Sequence, residues 1–375
     1  MIFKTYSLGE LVTIKYGKNQ KKVLSENGTF PIYGTGGLIG FATKSLYDKP
    51  SVLIGRKGTI EKIRYVNHPF WTVDTLFYTI VNDNIVIPQF LYYAMLQLDL
   101  LQYNEGTTIP SLRTETLNRI ELRIPNIDNQ KRILHFLATI DEKIVLNTKI
   151  NENLEQQAVA LYQNALEINS DSLVYTTIGE ICDVKGGKRL PKGINLITKR
   201  NSHPYIRVRD LNNSTVLALN NDFEYVDSET QKSISRYIVS TSDVIISIVG
   251  TIGLSAIIHE SLNNANLTEN CVKITNSNLA SPEFILLFLK SDIGQNEIIK
   301  GTVGAVQLKL PIKNIQAIRI RLLPEEEMNK LDKLIKPIFR QISSKVEENQ
   351  RLSDLRDALL PKLMSGEIDV SKVRI

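Results

Sequence analysis

The chain has 375 residues, 42% hydrophobic and 23% charged, with a net charge of only +5. That length points to two or three domains, and the apolar fraction is enough to build real cores. No apolar run approaches the roughly 20 residues of a membrane span, and the start MIFKTYSLGE lacks the apolar stretch and cleavage site of a signal peptide.

Taken in chain order, SLGELVTIKYGK (7–18) comes first. SVLIGRKGTIEKIRYV (51–66) follows, a β-rich run that predicts a hairpin with Lys57 and Gly58 near its turn. PQFLYYAMLQLDLLQY predicts a helix begun by Pro88 at its first turn. GTTIPSL (106–112) is a loop, and RIELRIP (119–125) leads to Pro125. Beyond it, Ile133, Leu137, Ile140, Ile144, Asn147, Asn151, Leu154, Ala158 and Leu161 alternate spacings of 4 and 3. That is the heptad seam of a coiled coil.

The pattern then starts again. TIGEICDVKGGK (177–188) repeats the first segment, with Gly9, Glu10, Lys15, Gly17 and Lys18 recurring as Gly179, Glu180, Lys185, Gly187 and Lys188. GTI stands at 58–60 and at 250–252, the latter inside a second hairpin-like run, DVIISIVGTIGLSAII (243–258). IPQFLYYAMLQ (87–97) parallels SPEFILLFLKS (281–291), GTTIPSL parallels GTVGAVQL (301–308), and RIELRIP parallels IRIRLLP (318–324). The offset drifts from 170 to about 199, so the second copy carries roughly 29 extra residues, placed mostly in loops around 190–235. So many ordered matches mean an internal duplication.

The second heptad series runs Leu331, Ile335, Ile338, Ile342, Lys345, Asn349, Leu352, Arg356, Leu359 and Leu363, and Gly366 closes it. Pro337 and Pro361 interrupt it and predict a kink or a late start. Asn147/Asn151 and Lys345/Asn349 hold equivalent seam positions, where a polar layer fixes register at some cost in stability. About 30 helical residues would make a rod of roughly 45 Å. The expected architecture is α+β: two related globular modules joined by two long antiparallel coiled-coil helices, a pseudo-two-fold duplication. The alternative is two amphipathic helices, each packed on its own module.

No active site emerges. YGTGGLIG (33–40) fails the G-x-G-x-x-G spacing of a nucleotide loop and reads instead as a glycine-rich turn near a ligand or a DNA backbone. NHPF (67–70) lacks the first proline of the Asn-Pro-Pro-aromatic methyltransferase motif. Asp183-Val184-Lys185 has nuclease-like spacing, but the first copy has Thr13 at the acidic position. No G-x-x-x-x-G-K-[ST] loop is present, and His68, His135, His203 and His259 give no metal spacing. Cys182 and Cys271 stand outside any CxxC or Cys/His cluster, which reads as a reducing, cytoplasmic setting.

Two diverged α/β modules, each followed by a heptad helix, resemble the specificity (S) subunit of type I restriction–modification enzymes over essentially the whole chain. The most specific pieces are GTTIPSLRTETLNRIELRIP (106–125) and RLSDLRDALLPKLMSGEI (351–368). The chain departs from the family where Glu-Gln usually follows the proline that opens the helix: it has Asn129-Gln130 in one copy and EEEMN (325–329) in the other. The resemblance implies target recognition domains at 1–127 and 169–323, spacer helices at 128–168 and 324–366, and a tail at 367–375. Each domain would read one half of a bipartite duplex DNA site, and the helices would set the gap between halves. Two methyltransferase subunits and the restriction/translocase subunits are the implied partners. S-adenosylmethionine, ATP and magnesium would belong to those partners and none to this chain. The competing readings are the recognition part of a combined (type IIG-like) restriction–modification polypeptide, and a two-headed scaffold that binds no DNA.

DNA reading needs cations for phosphates and forked donors for base edges. The positive excess is +4 in residues 1–127 and +3 in 169–323. In the first module the candidates are Lys18, Lys21, Lys22, Arg56, Lys57, Thr107, Thr108, Ser111 and Arg113. In the second they are Lys188, Arg189, Lys192, Arg207, Arg209, Thr302 and Gln307. Paired cations in β-rich segments favour Arg56, Lys57, Arg207 and Arg209 for base or groove contact, with Arg207 and Arg209 expected as counterparts of Arg56 and Lys57.

Overall fold

Both copies begin with a strand that turns into a single helical turn, held by a glutamate reaching back. In the computed structural model, which describes residues 1–212, 214–304 and 307–371, strand β1 (Phe3–Ser7) runs into α1 (Leu8–Leu11). The Glu10 carboxylate accepts from the Ser7 amide and hydroxyl, each at 2.7 Å. Strand β2 (Val12–Tyr16) follows, then β3 (Phe30–Gly34), β4 (Gly37–Ala42), β5 (Ser51–Gly55), β6 (Ile63–Val66), β7 (Trp71–Thr72) and β8 (Leu76–Val81). Helix α2 (Pro88–Met95), the short α3 (Thr114–Asn118) and β9 (Glu121–Pro125) lead into the long α4 (Ile127–Ile168).

The second copy repeats this order. Strand β10 (Val174–Thr177) enters α5 (Ile178–Ile181), where Glu180 accepts from the Thr177 amide at 2.9 Å. Then come β11 (Asp183–Gly186), β12 (Pro204–Ile206), β13 (Val216–Leu217), β14 (Glu224–Tyr225), α6 (Ser228–Ile234), β15 (Val244–Ser247), β16 (Ser255–Ile258), β17 (Asn266–Leu267) and β18 (Cys271–Thr275). Helices α7 (Pro282–Lys290), α8 (Asp292–Gly301) and α9 (Ile312–Gln316) precede β19 (Arg319–Leu322) and the long α10 (Glu325–Ser365). The extra length of this copy is more than loop, because β13 and α6, which have no counterpart in the first copy, fall between 190 and 235.

The sheets match except that β13 adds a fifth strand to the second copy. The first copy has the orders β2-β8-β5-β6 and β4-β3-β7, with β1 against β9. The second has β11-β18-β15-β16-β13 and β14-β12-β17, with β10 against β19. Backbone bonds outside the strands recur too. Gly17 donates to Leu76 and Gly187 to Cys271, while Lys18 donates to Thr72 and Lys188 to Leu267. Pro88 and Pro282 each sit in the first turn of their helices, where a missing N–H costs nothing.

Two units are resolved, Met1–Glu142 with Leu352–Ile375, and Lys143–Arg351. The 372–375 part of the expected tail, and residues 305–306 of the GTVGAVQL segment, lie outside the described residues. In the first unit, Phe77 and Phe90 are buried with Ile133 and Leu137 of α4 and Leu360 and Leu363 of α10. In the second, Leu154, Ala158 and Tyr162 of α4 share a core with Leu331, Ile335, Phe339 and Ile342 of α10, and Tyr162 meets Phe284 edge-on at 5.1 Å. Each unit therefore contains a stretch of both long helices.

The helices run antiparallel and exchange polar contacts within the units. Arg356 Nη1 reaches Asp141 at 2.9 Å in the first, and Asn147 Nδ2 donates to Asn349 Oδ1 at 2.9 Å in the second. Of the kink or late start expected, the late start does not occur: α10 begins at Glu325 and continues through Pro337 and Pro361. A proline removes one backbone bond, but apolar residues on both sides of Pro337 are buried and keep the turns in place. Gly366, at φ +83°, ends the helix as its sequence position predicts.

Candidate nucleic-acid interface

In the first unit β2 and β5 finish at one end of the four-stranded sheet, beside the start of β8, with Tyr16 opposite Phe77 and Gly55 opposite Leu76. The chain leaving β5 is pinned there. Arg56 donates its amide to Thr75 O and Nη1 to Asp74 O, both at 2.8 Å, and its guanidinium lies 5.2 Å from the Tyr16 ring centre. Lys57 is exposed and bridges Ser111 through the backbone, and the Gly58 amide donates to Pro110 O at 2.9 Å. Two candidate segments far apart in sequence, GRKGT and TTIPSLR, thus lie side by side.

A third segment joins them. Gly58 adopts φ +89°, and a Cβ placed on it would lie 3.9 Å from Thr35 Oγ1 in the β3–β4 turn. Gly37, where β4 leaves that turn, has φ +131°, so a side chain there would be strained. Next to it Arg64 of β6 lies over the Tyr33 ring at 5.4 Å. Arg64 and the two tyrosines fall outside the candidates singled out by sequence. Their signal was an arginine at an alternating strand position within KIRYV, which reads as ordinary surface charge until the strands are paired.

The remaining first-unit candidates differ in how they are held. Lys18 has its backbone fixed by Thr72 O and by Trp71 Nε1, each at 2.8 Å, which leaves the side chain exposed, as are Lys21 and Lys22. Asn104 Oδ1 gathers the Gly106 and Ser111 amides at 2.8 Å and shapes the loop carrying exposed Thr107 and Thr108. Arg113 pairs with Glu105 at 3.0 Å, and Thr116 donates to the same carboxylate.

In the second unit Lys188 keeps the position of Lys18. Its carbonyl accepts from the Tyr205 hydroxyl at 2.7 Å, and its ammonium lies over Tyr237 at 5.5 Å. Arg189 is paired with Glu269 at 2.6 Å, and Lys192 is exposed. Arg207 is largely buried and bound by Glu224 and Asp210, while Arg209 Nη2 reaches Glu224 at 3.0 Å. These two arginines follow β12, whose parallel partner β17 makes it the equivalent of β3, paired with β7. They correspond to the Gly34 turn and not, as the order of charges suggested, to Arg56 and Lys57.

The true counterparts of Arg56 and Lys57 are Ile248 and Val249. Ile248 donates to Asn270 O at 2.8 Å and accepts from the Leu310 amide at 2.9 Å, as Arg56 does with Thr75 and Leu112. Val249 bridges Lys309 as Lys57 bridges Ser111, and Gly250 has φ +80°. Thr302 donates its hydroxyl to Ile298 O at 2.8 Å at the start of this loop, and Gln307 is exposed near its return. One scaffold thus carries two cations in the first unit and two aliphatic residues in the second, of which Ile248 packs against the core.

The triplet with nuclease-like spacing is a surface ion pair: Lys185 sits 2.9 Å from Asp183, and Asn276 donates to the same carboxylate. Those donors hold the Asp183 carboxyl below its usual range. Among the described residues, no group of three or more His, Cys, Asp or Glu is placed to hold a metal ion, and no helix is long and apolar enough to cross a membrane.

A duplicated module with this arrangement has a match in sequence. The profile of the family described as "Type I restriction modification DNA specificity domain" covers residues 2–156 and 171–355. The chain belongs to this family. It is 22% identical over 358 residues to the type I restriction enzyme MjaIX specificity subunit of Methanocaldococcus jannaschii, covering 88% of this chain and 80% of that one. The HindI specificity subunit of Haemophilus influenzae is 24% identical over 379 residues, covering 80% and 81% of the two chains. In structure, the type I restriction–modification S subunit from M. genitalium superposes with a TM-score of 0.57 at 18% identity, over 96% of both chains, which establishes the shared fold.

Within this specificity-domain fold, the helix starts that depart from the family pattern are both structural. Gln130 is fully buried: its Oε1 accepts from the Ile87 amide, and its Nε2 donates to Ile85 O and Pro125 O, all at 2.8 Å. In the second unit Met328 takes the equivalent place in an apolar core, and Ser281 ties α7 to α10 through Asp332 at 2.7 Å.

Proposed function

We propose that this chain is the DNA-specificity subunit of a type I restriction–modification complex, each module reading one half of an asymmetric, bipartite duplex site. The observation that carries the reading is the pair of matching loops. The same backbone bonds hold Arg56 and Lys57 in one module and Ile248 and Val249 in the other. Identical scaffolds with different side chains suit two different half-sites. Arg56 and Lys57 offer donors for phosphate or a base edge, whereas Ile248 packs against the core of its module and Val249 beside it favours apolar contact such as a thymine methyl.

Reaction chemistry belongs to partner subunits in this reading. Two methyltransferase subunits dock on the paired helices and bring S-adenosylmethionine, and restriction/translocase subunits add ATP- and magnesium-dependent steps in the cytoplasm. The helices set the gap between half-sites, and the Asn147–Asn349 contact supports a defined register. The test is Arg56→Ala in the assembled methyltransferase complex, with binding measured on duplexes randomised in one half-site at a time. Preference falls in one half only, by about 1–3 kcal/mol per lost base contact. Equal weakening in both halves overturns the assignment.

A further inference from the structure

We infer that Arg64 reads a guanine in the first half-site, its guanidinium presented to the major groove beside the turn between β3 and β4. The inference rests on the half-site reading above and names a reader within it. Arg64 pairs with Leu53 across β5 and β6, so it occupies the sheet face on which Leu53, Val66, Phe70 and Leu76 are buried. A cation at that position cannot enter the apolar cluster. It lies instead across Tyr33, and a Cβ on Gly37 would come within 3.4 Å of its Nη2.

Three features make this a reading group and not an internal tie. First, among the described residues no carboxylate is within ion-pair distance of Arg64, whereas Arg113, Arg189, Arg207 and Arg209 each have one. Second, the contact with the Tyr33 ring restrains the guanidinium before binding, so less side-chain freedom is lost when paired donors meet O6 and N7 of guanine. Third, the turn leaves room. A Cβ on Gly36 would meet nothing within 4 Å, so a base edge can approach closely.

The surroundings suit a DNA groove. Leu38 and Ile39, at the start of β4, are exposed apolar side chains beside the turn, and Arg56 and Lys57 lie on the neighbouring loop for phosphates. The second module differs at the matching position. Ala256, fully buried, holds the matching position opposite Ile245 on β16. The reader is therefore private to one half-site.

The test selects bound duplexes from a pool randomised across both half-sites, using the methyltransferase complex with the unchanged chain, Arg64→Gln or Arg64→Lys. The unchanged chain selects a two-part site with guanine favoured roughly 10- to 100-fold at one position. Arg64→Gln brings that position to near parity, Arg64→Lys lowers its preference because one ammonium replaces the fork, and both leave every other position unchanged. Lysine retains the charge but not the fork, so Arg64→Lys separates base reading from simple attraction to phosphate. Uniform weakening over all sequences, or unchanged preference in both variants, overturns the role of Arg64 while the half-site reading stands. Failure of the unchanged chain to select any two-part site overturns the half-site reading itself, and this inference with it.

Discussion

Replacing Gln130 with methionine isolates what one buried amide contributes to the first module. Its three hydrogen bonds join the start of α4 to the end of β9 and to the chain entering α2, whose N-cap residue Ile87 has no side-chain acceptor of its own. Methionine is the residue that the second module carries at the same point, so volume is nearly kept and hydrogen bonding alone is lost. At about 1 kcal/mol per bond the cost is about 3 kcal/mol, rising toward about 5 kcal/mol if the Ile87 amide finds no other acceptor. Against a typical total of about 5–15 kcal/mol this is a large fraction. Hydrogen exchange resolved by peptide is the assay of choice, because two units make a single global unfolding energy ill-defined. Protection should fall in the peptide covering 85–91 and stay unchanged in peptides from 174–323. A variant within about 0.5 kcal/mol of the parent, or a loss of protection confined to the second module, would refute the reasoning.

Two further perturbations probe the shared scaffold and the buried thiols. Gly17→Ala and Gly187→Ala would each place a Cβ 2.0 Å from a backbone oxygen, Val73 O in one module and Thr268 O in the other. Each should cost more than about 4 kcal/mol and remove the thermal unfolding step of its own module only, and a retained melting temperature in either variant would show that the close approach is relieved elsewhere. Cys271 is buried, and burial, with Asp210 and Glu269 adding to it, pushes its thiol up to about 12. Because that lies above the unfolded value of about 8.5, stability is intact below pH ~8 and declines as the pH rises toward 12. Cys271→Ser should flatten that decline in denaturation curves at alkaline pH, and rapid labelling of the native chain with a thiol reagent at pH 8 would contradict the burial.

Local pattern made much of this protein readable. The repeat was visible because glycines and capping residues recur where backbone bonds recur: Gly17 and Gly187 both pack against carbonyls, and Glu10 and Glu180 both reach back to a strand end. Heptads identified both long helices, since a buried stripe at that spacing is a property of one helix and its neighbours in sequence. Pro337 allowed a late start that does not occur, for the opposite reason. Its local cost is real, but burial of Leu331, Ile335, Phe339 and Ile342 around it comes from residues remote in sequence.

The site was harder to read than the fold. Arg207 and Arg209 looked like the second module's answer to Arg56 and Lys57 because their charges came in the same order, yet β12 aligns with β3, and Glu224 and Asp210 bind both guanidiniums. Nothing local distinguishes them from Arg64, which stands over Tyr33 beside Gly37 of the neighbouring turn. Sequence by itself determined the duplication, the two helices and the chain's family, because periodicity, capping and glycine placement act over a few neighbours. Only the tertiary structure decided which cations face open space and which are already paired, because an arginine's partner lies across a strand pairing that its own sequence neighbours do not specify.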